Sequence, residues 1–257
     1  LASGLLAIAF GEATKTVPLV QEGDKTYRFT LRLGQATTTD DAEGAVIAES
    51  AERPSDGAIE AALTGFRGKI QQVPPAYSAV KLDGRRAYDV ARAAREGEAL
   101  PALAPRALFV ARLDLVDRPD ADHAVLEMTC GKGGYVRSVA RDLGRVLGCE
   151  GHVAALRRLR SGAMTLERAI SFDASEGIGH EAASAHLLPV ATGLDDIPAL
   201  AVSETDAERL RRGQAIPVGP GAGPAEGQTG WAHEGGQPVA IGTREGALFR
   251  PSRVFNL

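Results

Sequence analysis

Apolar and polar side chains alternate along residues 25–33, KTYRFTLRL. One side carries Tyr27, Phe29, Leu31 and Leu33, and the other carries Arg28, Thr30 and Arg32. Because successive side chains of a strand point to opposite faces, the pattern predicts an antiparallel strand with one buried face. Gly34 is expected to end this strand, and the polar residues 37–44, TTTDDAEG, are expected to form a loop.

Apolar stripes at helical spacing predict two helices in the first two thirds of the chain. Ser55 can cap the first helix, whose stripe is Ile59, Leu63 and Phe66. The second helix runs from about Val136 to Leu147, after a glycine-rich turn at 131–134. Its core stripe is Val136, Val139, Ala140, Leu143 and Leu147, and its other side carries Arg137, Arg141 and Arg145.

The segment 71–92 and the two runs that follow it complete the first part of the chain. Pro74 and Pro75 favour an extended start to this segment, with a turn at Asp83–Gly84 and a helix from near Tyr88. Residues 107–117 and 123–130 have the alternating character of strands.

A second, smaller domain is predicted near the C-terminus. Residues 171–200 are expected to be a partly helical linker, and a capping box at Ser203 and Asp206 predicts a helix to Arg212 that Gly213 ends. Short strand candidates then follow at 216–218, 228–233, 238–243 and 247–250. Short strands separated by glycine and proline are typical of a small β-barrel.

Composition and charge exclude several classes of protein. The 257 residues are 44% hydrophobic and carry a net charge of −4, so a mainly disordered chain and a wholly basic nucleic-acid coat are both excluded. No apolar run approaches the roughly 20 residues of a membrane helix. The two cysteines, Cys130 and Cys149, form no CxxC or Cys/His cluster. We therefore expect buried thiols in a reducing cytoplasm, no structural metal site and no membrane association.

Motifs for nucleotide, metal or hydrolase chemistry do not occur. The glycines at 131–134 do not complete GxGxxG because residue 136 is Val, and there is no P-loop, HExxH or GxSxG segment. The five scattered histidines give no basis for metal catalysis, although spacing alone leaves Ser-His-Asp chemistry open.

Residues 131–160 form a local basic cluster in an acidic protein. Seven lysines and arginines stand against two acids, and this balance fits either a groove for a phosphate backbone or a solvated helix face. Arg137 is unusual, since the helix dipole disfavours a cation in the first turn by about 0.3–1 kcal/mol. A nearby carboxylate would remove that cost. The adjacent Asp40 and Asp41 are expected to point apart into water, although neighbouring carboxylates can also split their pKa values.

Several ordered stretches resemble bacterial TruB-type tRNA pseudouridine synthases. They are residues 1–15, 25–44, 66–92, 131–162 and 210–216. The resemblance implies an α+β catalytic domain with a mixed, mostly antiparallel sheet over 1–170, a connection over 171–200, and a PUA-like RNA-binding barrel over 201–257. It also implies that the protein isomerises uridine-55 in the T-arm of tRNA, as a cytoplasmic and monomeric enzyme without a cofactor.

The resemblance assigns roles to individual residues. Tyr27 is similar to the strand tyrosine that packs on the target base and takes part in proton transfer, and Tyr135 and Leu156 are similar to substrate-contacting residues. Arg137 is similar to the arginine that pairs with the nucleophilic aspartate. That aspartate would be the nearby carboxylate that removes the cost of a cation in the first helical turn. RNA-backbone contacts are expected from Lys132, Arg141, Arg157 and Arg158.

One element of the family pattern lies outside this sequence. The nucleophilic aspartate of the family stands in a GTLDP-type segment directly before the LASGLL stretch, which here begins at Leu1. We therefore expect the chain to begin inside a longer protein, with the aspartate two positions before Leu1. Two alternatives stay open: a catalytically silent tRNA-binding or tRNA-folding module, and a dyskerin-like protein that works with a guide RNA. The short C-terminal region without lysine-rich tails argues against the second.

Overall fold

A computed structural model describes residues 2–82, 85–93, 103–175, 177 and 179–257. These residues form two compact units. The first unit contains residues 2–5 and 24–160, and the second contains residues 6–23 and 161–257.

The elements are numbered in chain order. The strands are β1 (Ala2–Gly4), β2 (Lys25–Leu33), β3 (Gln35–Thr37), β4 (Val46–Glu49), β5 (Gly68–Gln72), β6 (Lys81–Leu82), β7 (Arg85–Arg86), β8 (Arg106–Asp117), β9 (His123–Cys130), β10 (Gly151–Ser161), β11 (Met164–Thr165), β12 (Ala199–Ala201), β13 (Ile216–Pro217), β14 (Thr229–Glu234), β15 (Gln237–Glu245) and β16 (Leu248–Val254). The α-helices are α1 (Val17–Glu22), α2 (Asp56–Leu63), α3 (Ala87–Ala93), α4 (Val136–Val146), α5 (Phe172–Ser175), α6 (His180–Ser184) and α7 (Glu204–Arg211). Short 3-10 helices span Gly11–Thr16, Thr64–Phe66, Leu166–Arg168 and Val190–Leu194.

A mixed sheet organises the first unit. Six of its strands lie in the order β1-β10-β2-β9-β8-β5. β1 runs parallel to β10, whereas the pairs β2–β9, β9–β8 and β8–β5 are antiparallel. The predicted fold class, a mixed and mostly antiparallel catalytic sheet, is confirmed.

The alternation along β2 matches its burial. Phe29, Leu31 and Leu33 are buried in the main core, and Tyr27 packs against that core while remaining partly exposed. Gly34 ends the strand with a φ of +86°, in the left-handed region that favours glycine. The polar segment after it contains a short antiparallel pair, β3 with β4, around residues 38–45.

Both helices predicted from apolar stripes are present in the first unit. The Ser55 hydroxyl accepts a hydrogen bond from the Ala58 N–H at the start of α2, and Ile59 and Leu63 are buried. Helix α4 buries the face that carries Val136, Val139, Ala140 and Leu143. Helix α3 is also present near Tyr88, while the turn predicted at Asp83–Gly84 lies outside the described residues.

A curled five-stranded sheet forms the centre of the second unit. Its order is β12-β14-β15-β16-β13, with β12 parallel to β14 and the remaining pairs antiparallel. Bulges at Ala232/His233 and Ile241/Gly242 increase the local bend and twist of the strands. The predicted small barrel is therefore present as a half-barrel, and α7 begins at the Ser203 cap and is followed by Gly213 with a φ of +76°.

Residues 6–23 belong to the second unit, which the sequence pattern did not indicate. Leu19 packs against a core of Leu194, Trp231, Ile241 and Phe255. A Cβ added to Gly193 would lie 2.5 Å from the Thr16 hydroxyl, so these two backbone segments approach closely only because residue 193 is glycine. The domain borders expected at 170 and 200 stay a prediction, although 171–200 does contain short helices and the start of β12.

Candidate active site

Tyr27 and Leu156 lie on neighbouring strands, β2 and β10, and both pack against the main core. Burial raises the pKa of Tyr27, and the guanidinium of Arg158 beside its hydroxyl partly opposes that shift. The phenol therefore stays protonated at neutral pH and can donate a hydrogen bond. The Arg158 Nε in turn donates to the Leu5 carbonyl at 2.6 Å.

Tyr135 stands directly before α4, at its N-cap. The buried side chain of Gln72 fixes this position, because its Nε2 donates to the Gly133 carbonyl at 2.6 Å while its Oε1 accepts from the Tyr135 N–H at 3.0 Å. The glycine-rich turn is thereby held against β5, which ends at Gln72. The half-buried Tyr135 ring packs against Val80, Ala87 and Leu103.

Arg137 lies in the first turn of α4 and reaches two other segments of the first unit. One terminal nitrogen donates to the Thr39 carbonyl and to the Asp41 carboxylate, both at 3.1 Å. The other donates to the Tyr77 carbonyl at 2.7 Å. The cation is 24% exposed and has an acidic partner, which answers the objection from the helix dipole.

Asp41 is the carboxylate that Arg137 contacts, and its side chain is 8% exposed. Its Oδ1 accepts from the Thr39 hydroxyl at 2.6 Å and from the Glu43 N–H at 3.0 Å, so the Arg137 contact falls on Oδ2. The backbone around Asp41 is joined to β10 by hydrogen bonds on both sides of Val153. Strand β10 thus connects these groups. It carries Leu156 and Arg158, of which Arg158 faces Tyr27, and it binds the backbone around Asp41.

The expectation about Asp40 and Asp41 is wrong. Neither carboxylate points freely into water, because Asp41 is buried against Arg137 and the largely buried Asp40 pairs with Arg141. The Arg141 side chain is 10% exposed and donates to Asp40, Asp142 and the Val73 carbonyl, so its expected contact with an RNA backbone stays a prediction that these contacts do not support. The spacing of the arginines on α4 was predicted correctly. The carboxylates that face them lie about 100 residues earlier in the chain, so no local sequence pattern indicates these ion pairs.

The other expected RNA-contacting residues are more accessible. Lys132 and Arg157 are exposed, and Arg158 is partly buried between Leu5 and Tyr27. Sequence reasoning missed Gln72, Tyr77 and Ser138, which hold the site through backbone contacts. Backbone contacts of this kind depend on tertiary packing and have no signature in the sequence.

The described residues contain no cluster of three or more histidine, cysteine or acidic side chains that could hold a metal ion. Within the same residues, no helix is long and apolar enough to cross a membrane. Burial raises the pKa of Cys130 to about 11, so this thiol stays protonated and unreactive.

Solved structures with a similar fold come from a protein complex and a ribonucleoprotein. A chain of a Cbf5–Nop10–Gar1 complex superposes with a TM-score of 0.73 at 20% identity, covering 99% of this chain and 73% of that chain. A chain of an H/ACA RNP bound to a substrate RNA that contains 2'-deoxyuridine gives a TM-score of 0.72 at 18% identity, with coverages of 100% and 73%. At 18–20% sequence identity, these similarities show a shared fold and nothing about function.

Sequence comparison is more specific. The model of the TruB family pseudouridylate synthase N-terminal domain matches residues 1–136, and that of the tRNA pseudouridylate synthase B C-terminal domain matches residues 137–195. The tRNA pseudouridine synthase B of Cereibacter sphaeroides is 54% identical over 100% of this chain and 84% of its own length. That of Dinoroseobacter shibae is 53% identical over 99% and 82%. The chain therefore belongs to the TruB family of tRNA pseudouridine synthases.

Proposed function

We propose that this protein converts uridine-55 in the T-arm of tRNA to pseudouridine. The observation that carries the proposal is the Arg137–Asp41 ion pair in a member of this family. Strand β10 connects this pair to Leu156 and, through Arg158, to the Tyr27 hydroxyl. A tyrosine ring, an apolar side chain and an anchored guanidinium are the groups that a loose uracil ring and a reacting carboxylate require.

The reaction rearranges one nucleoside without adding or removing electrons. The bond between uracil N1 and ribose C1' breaks, the ring turns, and a bond forms between C5 and C1'. The proton on C5 leaves and N1 gains a proton, so substrate and product have the same composition. The chemistry therefore needs a nucleophile, a base and a means of holding the detached ring, and no cofactor is proposed.

Tyr27 and Leu156 are proposed to enclose the target base after it flips out of the RNA stack. The neutral Tyr27 phenol can then assist the proton transfer at C5, while Tyr135 contacts the substrate at the start of α4. The nucleophile is proposed to be an aspartate two positions before Leu1. Three residues of extended chain span about 10 Å, so such an aspartate stays close to Ala2, which pairs with Leu156.

Asp41 is poorly suited to be the nucleophile itself. Both of its carboxylate oxygens already accept hydrogen bonds, and its side chain is almost fully buried. An attacking carboxylate must instead present a free oxygen to the sugar or base. We propose that Arg137, with five N–H donors, bridges Asp41 and the nucleophilic aspartate and so fixes the latter's direction.

The phosphate backbone of the tRNA is proposed to contact Lys132, Arg157 and Arg158. The half-barrel of the second unit is proposed to be a PUA-like RNA-binding domain. The first proposal rests on the accessible side chains of Lys132 and Arg157, and both rest on family membership across the whole chain.

The test is release of the C5 hydrogen from a defined RNA. Full-length protein is incubated with a T-arm stem-loop that carries 5-tritiated uridine only at position 55, and tritium in water is measured. We expect stoichiometric release, and no release from an RNA labelled only at another loop uridine. Binding of the RNA without tritium release would overturn the proposed reaction and favour a tRNA-binding or tRNA-folding module.

A further inference from the structure

We infer that Asp40 and Arg141 are a positioning pair that sets the direction of the Arg137–Asp41 pair. This inference rests on the proposed function, because its kinetic consequence requires turnover at that site. Within the part of the chain that the structure describes, the hydrogen bonds of Asp40 and Arg141 reach neither Tyr27 nor Arg137.

Arg141 lies one helical turn after Arg137 on α4 and uses its guanidinium in three directions. One terminal nitrogen donates to Asp40 Oδ2 at 2.9 Å, and the other donates to the Val73 carbonyl at 2.9 Å. The Nε donates to Asp142 Oδ1 at 2.8 Å. A guanidinium with fixed partners on three sides has little freedom to move.

Arg141 holds the same two segments from which the partners of Arg137 come. Thr39 and Asp41 belong to the loop that contains Asp40, and Tyr77 follows Val73 by four residues. The Ser138 hydroxyl adds a second hydrogen bond to the Val73 carbonyl, at 2.7 Å. The hydrogen bonds of Ser138 and Arg141 therefore hold the two segments that supply the partners of Arg137.

The backbone at Asp40 explains why two successive side chains can both reach α4. Asp40 has a φ of +60°, a left-handed conformation that few residues other than glycine, asparagine and aspartate adopt. Its carbonyl accepts from the Val153 N–H at 3.1 Å, which ties the unusual turn to β10. The ion pair with Arg141 is the side-chain contact that holds Asp40 in this conformation.

Burial also makes Asp40 depend on Arg141. Desolvation raises the pKa of the Asp40 carboxyl, and Arg141 opposes the shift through its charge and its hydrogen bond. Without this partner the carboxylate would turn toward water or take up a proton. Either change would release the loop on one side of Asp41.

Asp40→Asn tests the inference, since the amide keeps the size of the side chain and removes its charge. We expect kcat on the T-arm RNA to fall by about 10- to 100-fold, in line with the effect of a misplacement of about 1 Å, with KM changed less than twofold. Arg141→Lys, which keeps a charge but loses the planar fork, should act in the same direction. Glu127→Gln is the matched control, because it removes a carboxylate that pairs with Arg28 on the sheet face opposite Tyr27.

A second measurement is independent of turnover. In ¹⁵N spectra of arginine side chains, the Arg137 guanidinium should show slow rotation and slow hydrogen exchange in the unchanged protein and in Glu127→Gln. Both rates should rise in Asp40→Asn. An unchanged Arg137 signal in a folded Asp40→Asn variant, or an unchanged kcat in an active one, would overturn the inference. If the unchanged protein releases no tritium, the proposed function fails, and the Arg137 signal alone decides whether Asp40 positions it.

Discussion

The chain carries two groups of three arginines within residues 131–160, and the two groups differ in their structural surroundings. The helix arginines, Arg137, Arg141 and Arg145, lie on one side of α4, and the strand arginines, Arg157, Arg158 and Arg160, lie on β10. On the helix, Arg137 and Arg141 are held by Asp41 and Asp40, and exposure rises only at Arg145. On the strand, Arg157 is exposed, while Arg158 turns toward Leu5 and Tyr27.

The difference shows that the surroundings of a basic run decide its role. A cation without a buried acid keeps its hydration and can exchange it for a phosphate, whereas a desolvated cation must keep its partner. Arg137 and Arg141 therefore have fixed acidic partners within the site, whereas Arg157 stays accessible, as its proposed contact with RNA requires. This proposed division of roles can be tested variant by variant.

Tyr27→Phe should give the largest fall in turnover, because it removes the hydroxyl that Arg158 faces. The ring, which is proposed to pack on the base, remains and only the hydroxyl is lost, so tRNA binding and folding should be unchanged. Turnover should fall by about 10²–10⁴-fold if the phenol assists proton transfer. Single-turnover tritium release measures the change, and unchanged release would make Tyr27 a core residue.

Arg137→Lys should lower kcat by about 100-fold with little change in tRNA binding. Lysine keeps the charge, but it cannot donate at once to Asp41, Thr39 and Tyr77 in a planar geometry. Arg112→Lys is the control, because Arg112 is an exposed arginine whose acidic partners, Asp114 and Glu127, lie on the sheet. Equal turnover in the two variants would show that Arg137 contributes charge only.

Local patterns were sufficient to predict much of the fold. The alternation along β2, the Ser55 and Ser203 caps and the apolar face of α4 all arise from residues within a few positions of one another. Interactions of this range determine where elements begin and which face they bury. The mixed sheet itself was predicted through the resemblance to a family.

Long-range pairing could not be predicted in the same way. The three residues of β12 are too short to show a period, and the packing of Leu19 against Trp231 joins distant parts of the chain. The candidate site had the same difficulty. Arg137 was identified, and its need for a carboxylate followed from the helix dipole, but Asp41 could be found only once the loop was seen against α4.

Arg141→Ala and Arg157→Ala should differ in stability. Removing Arg141 leaves the largely buried Asp40 carboxylate and the Val73 carbonyl without their cation, which should cost about 3 kcal/mol of unfolding free energy. Removing the exposed Arg157 should change it by less than about 0.5 kcal/mol. Urea unfolding measures both values. Similar small changes in the two variants would contradict the division between site-building and RNA-binding arginines.

The smallest expected effect lies in the salt dependence of tRNA binding. About four to six phosphate contacts would give a slope of log affinity against log salt of about −3 to −5. Arg157→Ala should bring this slope about one unit closer to zero, since one phosphate contact is lost. Arg112→Ala, which removes an equally charged exposed side chain outside residues 131–160, should leave the slope unchanged. Filter binding of unmodified tRNA across a series of potassium chloride concentrations measures all three slopes. A flat response of the unchanged protein would remove the basic cluster from RNA recognition, and a shift caused by Arg112→Ala alone would place the RNA on another face of the first unit.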